Sequence, residues 1–124
     1  MESFAARSRF SVDGESSPLL PRTQRLSDVL AVCRGASQRG RPIDLLAGDF
    51  NSIGRSIGFD AFPAKGYRLA SDRARGWRGT FPSWCPLYDI DHVWVGGYPS
   101  VTDCTFVTNR QTDHSGQVVR VRMP

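Results

Sequence analysis

Two polar side chains directly follow an apolar stretch of strand length, and their spacing suits the binding of a cation or a phosphate. The apolar run spans residues 43–47, and Asp49 and Asn51 flank Phe50 just beyond it. Gly48 lets the chain turn there without a side chain in the way. Side chains at positions i and i+2 of a strand point the same way, so the acid and the amide aim at one spot. Such a pair suits a divalent cation or a phosphoryl oxygen. An Asx turn that closes the strand is the alternative.

Two more clusters of the same kind lie later in the chain, each beside an apolar stretch. Residues 88–92 include Asp91 and precede a run of β-branched residues, and residues 112–115 include Asp113 and His114. In α/β sheets, chemistry gathers at the ends of strands. One such cluster carries little information, whereas three clusters of Asp, Asn and His in this order are specific. The pattern therefore predicts that the three strand ends form one site.

The elements that must position these clusters follow from the apolar periodicity. One helical stripe with spacing i, i+3, i+4, i+7 and i+10 consists of Leu26, Val29, Leu30, Cys33 and Ala36. It predicts a core-facing helix that starts near Pro21 and ends before Gly40. The stretches that read as strands are Arg9–Val12, Ile43–Ala47, Ile90–Val95, Val101–Thr108 and Gln117–Val121. A helix followed by a buried strand is the α/β pattern, in which the helix lies over the sheet.

The connecting segments carry weaker signals. Residues 13–21 are rich in Ser, Gly and Pro and read as a loop. Residues 52–62 predict a short, irregular helix that is weakened by two glycines, and residues 63–66 are expected to break it. Residues 67–86 read mostly as a loop that holds several arginines among aromatic residues.

Composition sets broad limits on the class of protein. The chain has 124 residues with 40% hydrophobic and 23% charged residues, which is typical of one globular domain. Its net charge of +4 permits an anionic substrate without requiring one. Three widely separated cysteines indicate neither a disulfide framework nor a zinc site. No apolar run approaches the roughly 18 residues of a membrane span, and no secretory h-region is present, so a cytoplasmic protein is the default expectation.

The three clusters together strongly resemble the endonuclease/exonuclease/phosphatase superfamily. The resemblance lies in Gly48–Asn51, Ile90–His92 and Thr112–His114, and Gly76–Pro82 is similar to the loop that precedes the second motif in many members. It implies an α/β fold, namely the C-terminal half of a four-layered α/β sandwich with a mixed, mainly antiparallel sheet and a helix packed on it. Residues 1–124 would then be a partial domain whose N-terminal half is absent and whose residues 1–21 are poorly defined.

The resemblance also implies a reaction and roles for individual residues. The family hydrolyses phosphate esters with a metal ion, usually Mg²⁺, and Mn²⁺ suits the same ligands. His114 resembles the histidine that acts on the scissile phosphate, and Asp91 resembles the aspartate that fixes its tautomer. Asp49 resembles the aspartate that positions and deprotonates the attacking water, and Asn51 the amide that hydrogen-bonds the phosphate or the water. Asp113 resembles an aspartate close to the metal. The metal-binding set implied in this way is Asp49, Asn51, Asp113 and His114.

Substrate contacts are less defined than the reaction. Arg78 and Trp77 belong to the arginine-rich loop, which either lines a phosphate track or is a solvated loop anchored by its aromatic residues. Trp77 and Trp84 suit stacking on a base or packing on a lipid. His92 is interpreted as structural. The substrate is expected to be a phosphate ester, and nucleic acid, phospholipid and inositol phosphate stay open.

The resemblance covers only half of the family's domain. The first half would supply an early asparagine, a metal-binding glutamate and a histidine or tyrosine that faces the phosphate. Glu2 and Glu15 are the only glutamates, and neither follows an apolar strand. A fragment of a longer reading frame is the preferred explanation, and a degenerate remnant or completion by a partner chain are the others. We therefore expect a truncated phosphoesterase that is inactive or weakly active and binds metal poorly by itself. A non-catalytic remnant or interaction module is the alternative.

Overall fold

The computed structural model describes residues 8–13, 22–108 and 110–124. Within these residues the strands are β1 (Ser8–Asp13), β2 (Ile43–Asp49), β3 (Arg68–Leu69), β4 (Asp91–Val95), β5 (Ser100–Val107) and β6 (Gly116–Arg122). The α-helices are α1 (Arg22–Gln38) and α2 (Ala61–Ala64), and short 3-10 turns span Ile57–Phe59 and Ala70–Arg73. Each predicted strand is present with slightly different ends. Of the loop predicted over residues 13–21, Asp13 instead ends β1, and residues 14–21 lie outside the described part of the chain.

Helix α1 packs on one face of a four-stranded sheet through the stripe that its sequence predicts. Leu26, Cys33 and Ala36 are buried, while Val29 and Leu30 are partly buried against the same core. Apolar residues at this spacing fall on one side of a helix with 3.6 residues per turn, so burying them orients the whole helix.

The end of α1 is set by a Schellman motif around Gly40. The backbone N–H of Gly40 donates to the Ser37 carbonyl at 3.0 Å, and that of Arg41 donates to the Ala36 carbonyl at 3.0 Å. Gly40 has a φ of +71°, a left-handed conformation that glycine adopts without a Cβ clash. The chain therefore turns sharply and enters β2 within a few residues.

The sheet has the strand order β1-β2-β4-β3, in which β1 and β2 are parallel and the other pairs are antiparallel. Gly48 in β2 has a φ of +142°, and a Cβ built there would lie 1.9 Å from the carbonyl oxygen of Val12 in β1. Only glycine allows the two backbones to approach this closely. The conformation of the chain just before Asp49 is therefore coupled to the pairing of β1 with β2.

The two faces of this sheet are buried to different extents. Leu46 of β2 and Trp94 of β4 are cross-strand partners that point toward α1 and are almost fully buried. They join a core completed by the aromatic rings of Phe50, Phe59 and Phe62. Because side chains alternate along a strand, the residues between them point to the opposite face. On that face the cross-strand pairs are Leu45 with Val95, Ala47 with Val93 and Asp49 with Asp91.

Strands β5 and β6 form a separate antiparallel hairpin with an irregularity between Val101 and Asp103. The hairpin packs against the turn at residues 70–73, and Cys104 is buried there. The side-chain amide of Gln117 in β6 donates to the Asp91 carbonyl at 3.4 Å. The start of β6 is thereby held beside the start of β4.

The segment between β2 and β3 is less helical than predicted. Helix is confined to residues 57–59 and 61–64, whereas the sequence predicts an irregular helix over residues 52–62. Pro63 lies within α2 rather than beyond its end. A proline in the first turn of a helix sacrifices no intrahelical hydrogen bond, so it is tolerated there. The predicted long loop also contains strand β3, which two residues form by pairing with the end of β4.

Within the described residues, no helix combines the length and the apolar character that crossing a membrane requires.

Candidate functional site

Asp49 and Asp91 lie side by side at the edge of the sheet. Asp49 is the last residue of β2 and Asp91 is the first of β4, and the antiparallel register makes them cross-strand partners. The backbone N–H of Phe50 donates to the Ile90 carbonyl at 2.9 Å, which continues the pairing one residue further. Both carboxylates project from the face opposite α1. Two of the three clusters in the sequence are thus joined by ordinary strand pairing.

His114 lies between these two carboxylates. Its Nδ1 donates a hydrogen bond to Oδ2 of Asp91 at 2.7 Å, and its Nε2 lies 4.0 Å from Oδ2 of Asp49. A carboxylate that accepts from Nδ1–H fixes the tautomer and the orientation of the ring. The ring of Phe81 packs against the imidazole with 4.9 Å between the ring centroids. The Nε2 edge of His114 is consequently presented to Asp49 in a defined direction.

Thr80 connects the segments that carry Asp91 and His114, and sequence reasoning did not single it out. Its hydroxyl accepts a hydrogen bond from the Asp91 backbone N–H at 3.3 Å, and its carbonyl accepts from the Ser115 N–H at 2.7 Å. Thr80 is fully buried. The signal available was its place in the stretch 76–82, which resembles a family loop, but that resemblance does not reveal which contacts the threonine makes.

Asp49 and Asn51 form an Asx turn, which the sequence offers as the alternative to a binding site at this strand end. Oδ1 of Asp49 accepts a hydrogen bond from the Asn51 backbone N–H at 2.7 Å. Asn51 has a φ of +50°, a left-handed conformation that asparagine adopts more readily than most residues. The turn and the site are compatible, because Oδ2 of Asp49 still faces His114.

The pKa values of His114 and Asp49 are both shifted upward, for different reasons. Burial lowers the pKa of His114, but its hydrogen bond to Asp91 and the charges of Asp91, Asp49 and Asp113 outweigh burial, so the net pKa is raised. The pKa of Asp49 is raised chiefly by burial, and the charge of Asp91 adds to the rise, against the hydrogen bond from Asn51. The site thus favours the protonated form of His114 and disfavours the ionised form of the Asp49 carboxylate.

The remaining predicted site residues lie at different distances from this cluster. Oδ1 of Asp113 is 3.9 Å from Nε2 of His114, although the Asp113 side chain is 73% exposed. Arg78 instead pairs with Asp72 at 3.3 Å. The indole N–H of Trp77 donates to the Pro86 carbonyl. The structure therefore brings Asp49, Asp91, His114 and Asp113 together, while these contacts of Arg78 and Trp77 are to residues outside this cluster.

His92 lies on the opposite face of β4 from Asp91 and is buried. Its Nε2 donates to the Ser52 carbonyl at 2.7 Å, and its ring packs beside the rings of Phe50 and Phe59. Burial lowers the pKa of His92, which keeps the imidazole neutral. These contacts agree with a structural role in supporting the turn that carries Asn51.

The cluster fits a hard divalent cation in part. One ligand atom from each of Asp49, Asp91 and His114 lies within 4.8 Å of the others. Mg²⁺ is usually held by one or two carboxylates together with water and substrate phosphates, so two carboxylates suffice for a partial site. The histidine is the weaker member, because its Nδ1 is engaged by Asp91 and its pKa favours protonation.

A sequence profile of the Endonuclease/Exonuclease/phosphatase family matches residues 5–114. The chain belongs to this family. The superfamily resemblance is thereby confirmed, and the family generally depends on a divalent metal ion. A search of curated proteins finds no match.

Several solved structures share the fold of this chain. A conserved protein of unknown function from Enterococcus faecalis V583 superposes with a TM-score of 0.71 at 22% identity, covering 92% of this chain and 49% of that one. A mannosyl-6-phosphatase from Bacteroides thetaiotaomicron gives a TM-score of 0.67 at 22% identity, covering 84% and 48%. The human Nocturnin catalytic domain with a bound sulfate gives a TM-score of 0.66 at 17% identity, covering 92% of this chain and 45% of that one.

These similarities confirm the predicted α/β fold, with a helix on a mixed, mainly antiparallel sheet. The chain spans about half the length of the solved structures that it matches. At this level of identity the similarity establishes the fold and does not transfer the activity of any one relative.

Proposed function

We propose that this chain is the C-terminal half of a metal-dependent phosphoesterase domain that hydrolyses a phosphodiester or a phosphomonoester. The observation that carries the proposal is the position of His114, which is bonded to Asp91 at 2.7 Å and faces Asp49 at 4.0 Å. Phosphoryl transfer depends on positioned charge more than on covalent chemistry. A protonated imidazole held between an orienting carboxylate and a second carboxylate supplies such charge.

In this proposal each residue acts from the position described above. Asp91 orients His114, and the Nε2–H of His114 stabilises the charge that develops on the phosphate oxygens. Asp49 positions the attacking water and accepts its proton, which the raised pKa of this carboxyl assists. The side chain of Asn51 is assigned to the phosphate or the water. A divalent ion, Mg²⁺ or Mn²⁺, would supply Lewis-acid stabilisation when held by Asp49 and Asp113 with Asn51 and His114 beside it.

The chain by itself is proposed to be inactive or weakly active. The residues assigned to the ion include only two carboxylates, Asp49 and Asp113, and the sequence from residue 16 onward contains no glutamate. Supporting this, the face of the sheet that carries Asp49 and Asp91 also carries Leu45, Ala47 and Val93, which are only partly buried. A first half of the domain that covered this face would bring its own groups to the site. Cytoplasmic localisation stays a prediction.

The alternative is a non-catalytic remnant or interaction module. It is supported by the same lack of a metal-binding glutamate. The two proposals differ in what precedes the chain in its reading frame. An early asparagine and an apolar strand that ends in glutamate would support the enzyme, whereas unrelated sequence or a stop codon would support the remnant.

The direct test is hydrolysis of bis-p-nitrophenyl phosphate in the presence of Mg²⁺. We expect no turnover by this chain alone. With a first half restored upstream, we expect Mg²⁺-dependent turnover that falls by about 10³-fold or more in His114→Ala and Asp91→Asn, in the range typical of groups of this kind. Asp28→Asn, on the exposed side of α1, is the control and should leave turnover unchanged. Turnover by the chain alone that disappears in His114→Ala would contradict the expected inactivity.

A further inference from the structure

A loop of residues 82–87 projects beside His114 and is tied to the site at both ends. Its base is closed by two backbone hydrogen bonds between Phe81 and Tyr88, at 3.0 and 2.9 Å. Phe81 itself packs on the imidazole of His114. The loop is therefore positioned by the same residues that position the histidine.

Ser83 fastens this loop to the turn that precedes His114. Its backbone N–H donates to the Asp113 carbonyl and its hydroxyl donates to the Thr112 carbonyl, both at 2.8 Å. Trp84, the next residue, is held out from the surface with 83% of its area exposed. An indole held by its neighbours and left uncovered is typical of recognition surfaces.

A cleft of about 500 Å³ separates Trp84 from the turn at residues 110–113. Its lining also includes Thr108, Arg110, Gln111 and Asp113. Oδ1 of Asp113 lies 3.9 Å from Nε2 of His114. The volume lies within the range of small-molecule sites. An indole, side chains that form hydrogen bonds and a guanidinium in one lining suit a flat, polar ring joined to an anion.

We propose that this cleft binds a nucleobase whose phosphate lies at His114, which makes a nucleic-acid strand with accessible bases the substrate class. The proposal rests on the proposed phosphoesterase function, since it places the phosphate at the same histidine. The base stacks on Trp84, and Arg110 contacts the backbone phosphate.

The structure assigns this role to Trp84 rather than to Trp77. The indole N–H of Trp77 is engaged by the Pro86 carbonyl, and Trp77 lines a different cavity, with Arg78 and Asp89. Its ring serves the internal structure of the arginine-rich loop. Trp84 lines the cleft that reaches Asp113.

The test measures binding without turnover. Fluorescence anisotropy in EDTA compares a labelled oligothymidylate of about eight nucleotides with an abasic strand of the same length. Since stacking of one base on an aromatic ring contributes on the order of 1–3 kcal/mol, we expect the strand with bases to bind roughly tenfold more tightly. Trp84→Ala should remove that preference. Tyr98→Ala is the matched control, because Tyr98 is 87% exposed at the opposite end of β4 from Asp91, and it should keep the preference.

Arg110→Ala should lower the affinity for both oligonucleotides several-fold, because it removes a contact to phosphate that the two have in common. Arg39→Ala, at the end of α1, is the charge-matched control and should weaken both much less.

Three outcomes would overturn the proposal. These are equal affinity for the two strands, a base preference that survives Trp84→Ala, and Trp84-dependent binding to phosphatidylcholine–phosphatidylserine vesicles with no preference between the strands. The last outcome would assign the loop to a membrane surface. A base preference in a completed domain that fails to hydrolyse phosphate esters would instead refute the phosphoesterase proposal and leave the base-binding cleft standing.

Discussion

The two faces of the β2–β4 sheet use the same strands for different purposes. On the α1 side, Leu46 and Trp94 are buried under the helix and the aromatic rings. On the other side, their chain neighbours Leu45 and Val93 are partly open, and the row of pairs ends in Asp49 and Asp91. The alternation along the strands places Leu46 and Trp94 in the core under α1 and puts Asp49 and Asp91 on the other face, where Val95, at the far end of β4, is also fully buried.

The two histidines repeat this contrast. His92 faces the sealed side, where burial lowers its pKa, and it supports the turn through the Ser52 carbonyl. His114 borders the open side, where three aspartates raise its pKa in spite of burial. Carboxylates lie near both histidines. The pKa shifts differ in direction because burial outweighs the carboxylates at His92, whereas the hydrogen bond to Asp91 and the nearby charges outweigh burial at His114.

The largest effect expected from this contrast is on folding stability. Leu46→Ala should lower the free energy of unfolding by about 2–5 kcal/mol, because it empties a fully buried position. Leu45→Ala, the same substitution one residue away, should cost about 1 kcal/mol, since its side chain is only partly buried. Urea denaturation of both variants measures the difference. Equal losses in the free energy of unfolding would mean that Leu45 is as well packed on its face of the sheet as Leu46 is under α1.

The close approach of β1 to β2 provides a second test. Gly48→Ala should cost about 3 kcal/mol, because its Cβ would collide with the backbone of Val12 and separate the strands. Gly66→Ala is the control. Gly66 also has a positive φ, of +85°, but no atom lies within 4 Å of an added Cβ, so only the backbone strain of about 1 kcal/mol remains. A similar loss in both variants would show that the contact with Val12 is relieved easily.

The pairing of His114 with Asp91 predicts a smaller, pH-dependent effect. The pKa of His114 is raised in the folded chain, so the stability it contributes is present below the ordinary histidine pKa of about 6.5 and is lost as the pH rises through the raised value. Asp91→Asn should lower the pKa of His114. The free energy of unfolding should then no longer fall over this pH range, a difference on the order of 1 kcal/mol from the wild type.

An NMR titration of the His114 ring protons and urea denaturation across this pH range measure both quantities. His92 is a second probe: burial is the main cause of its lowered pKa and the charge of Asp91 opposes that shift, so Asp91→Asn should lower the pKa of His92 slightly further. An unchanged His114 titration in Asp91→Asn would contradict the assigned cause.

The smallest expected effect concerns Asp49. Its pKa is raised in the fold, so the folded state favours the protonated form and loses stability as the pH rises above the unfolded value of about 3.9. Without divalent metal, Asp49→Asn should therefore be slightly more stable than the wild type at neutral pH, by less than about 1 kcal/mol.

Calorimetry without metal and then with added Mg²⁺ tests this. If Asp49 helps to hold the ion, Mg²⁺ should raise the Tm of the wild type more than that of Asp49→Asn. A wild type that is more stable than Asp49→Asn without metal at neutral pH would show that burial does not destabilise the ionised Asp49 carboxylate.

Much of this arrangement was accessible from the sequence, for reasons that are local. The stripe from Leu26 to Ala36 predicts both the helix and its buried face, because a helix repeats every 3.6 residues. The apolar run over residues 43–47 predicts strand β2, and Asp49 follows it directly. The motifs with Asp49, Asp91 and His114 predict the members of one site, and the structure brings these three together.

The amino-acid sequence by itself determined the buried face of α1, where α1 and the main strands lie, and the family to which the chain belongs. Tertiary structure alone decided the register that sets Asp49 beside Asp91, the bridge of Thr80 between two segments, the pairing of Arg78 with Asp72 and the cleft that Trp84 and Asp113 line together. The reason is physical. Periodicity and turn chemistry act over a few residues, whereas these contacts join segments that only packing of the whole chain brings into reach.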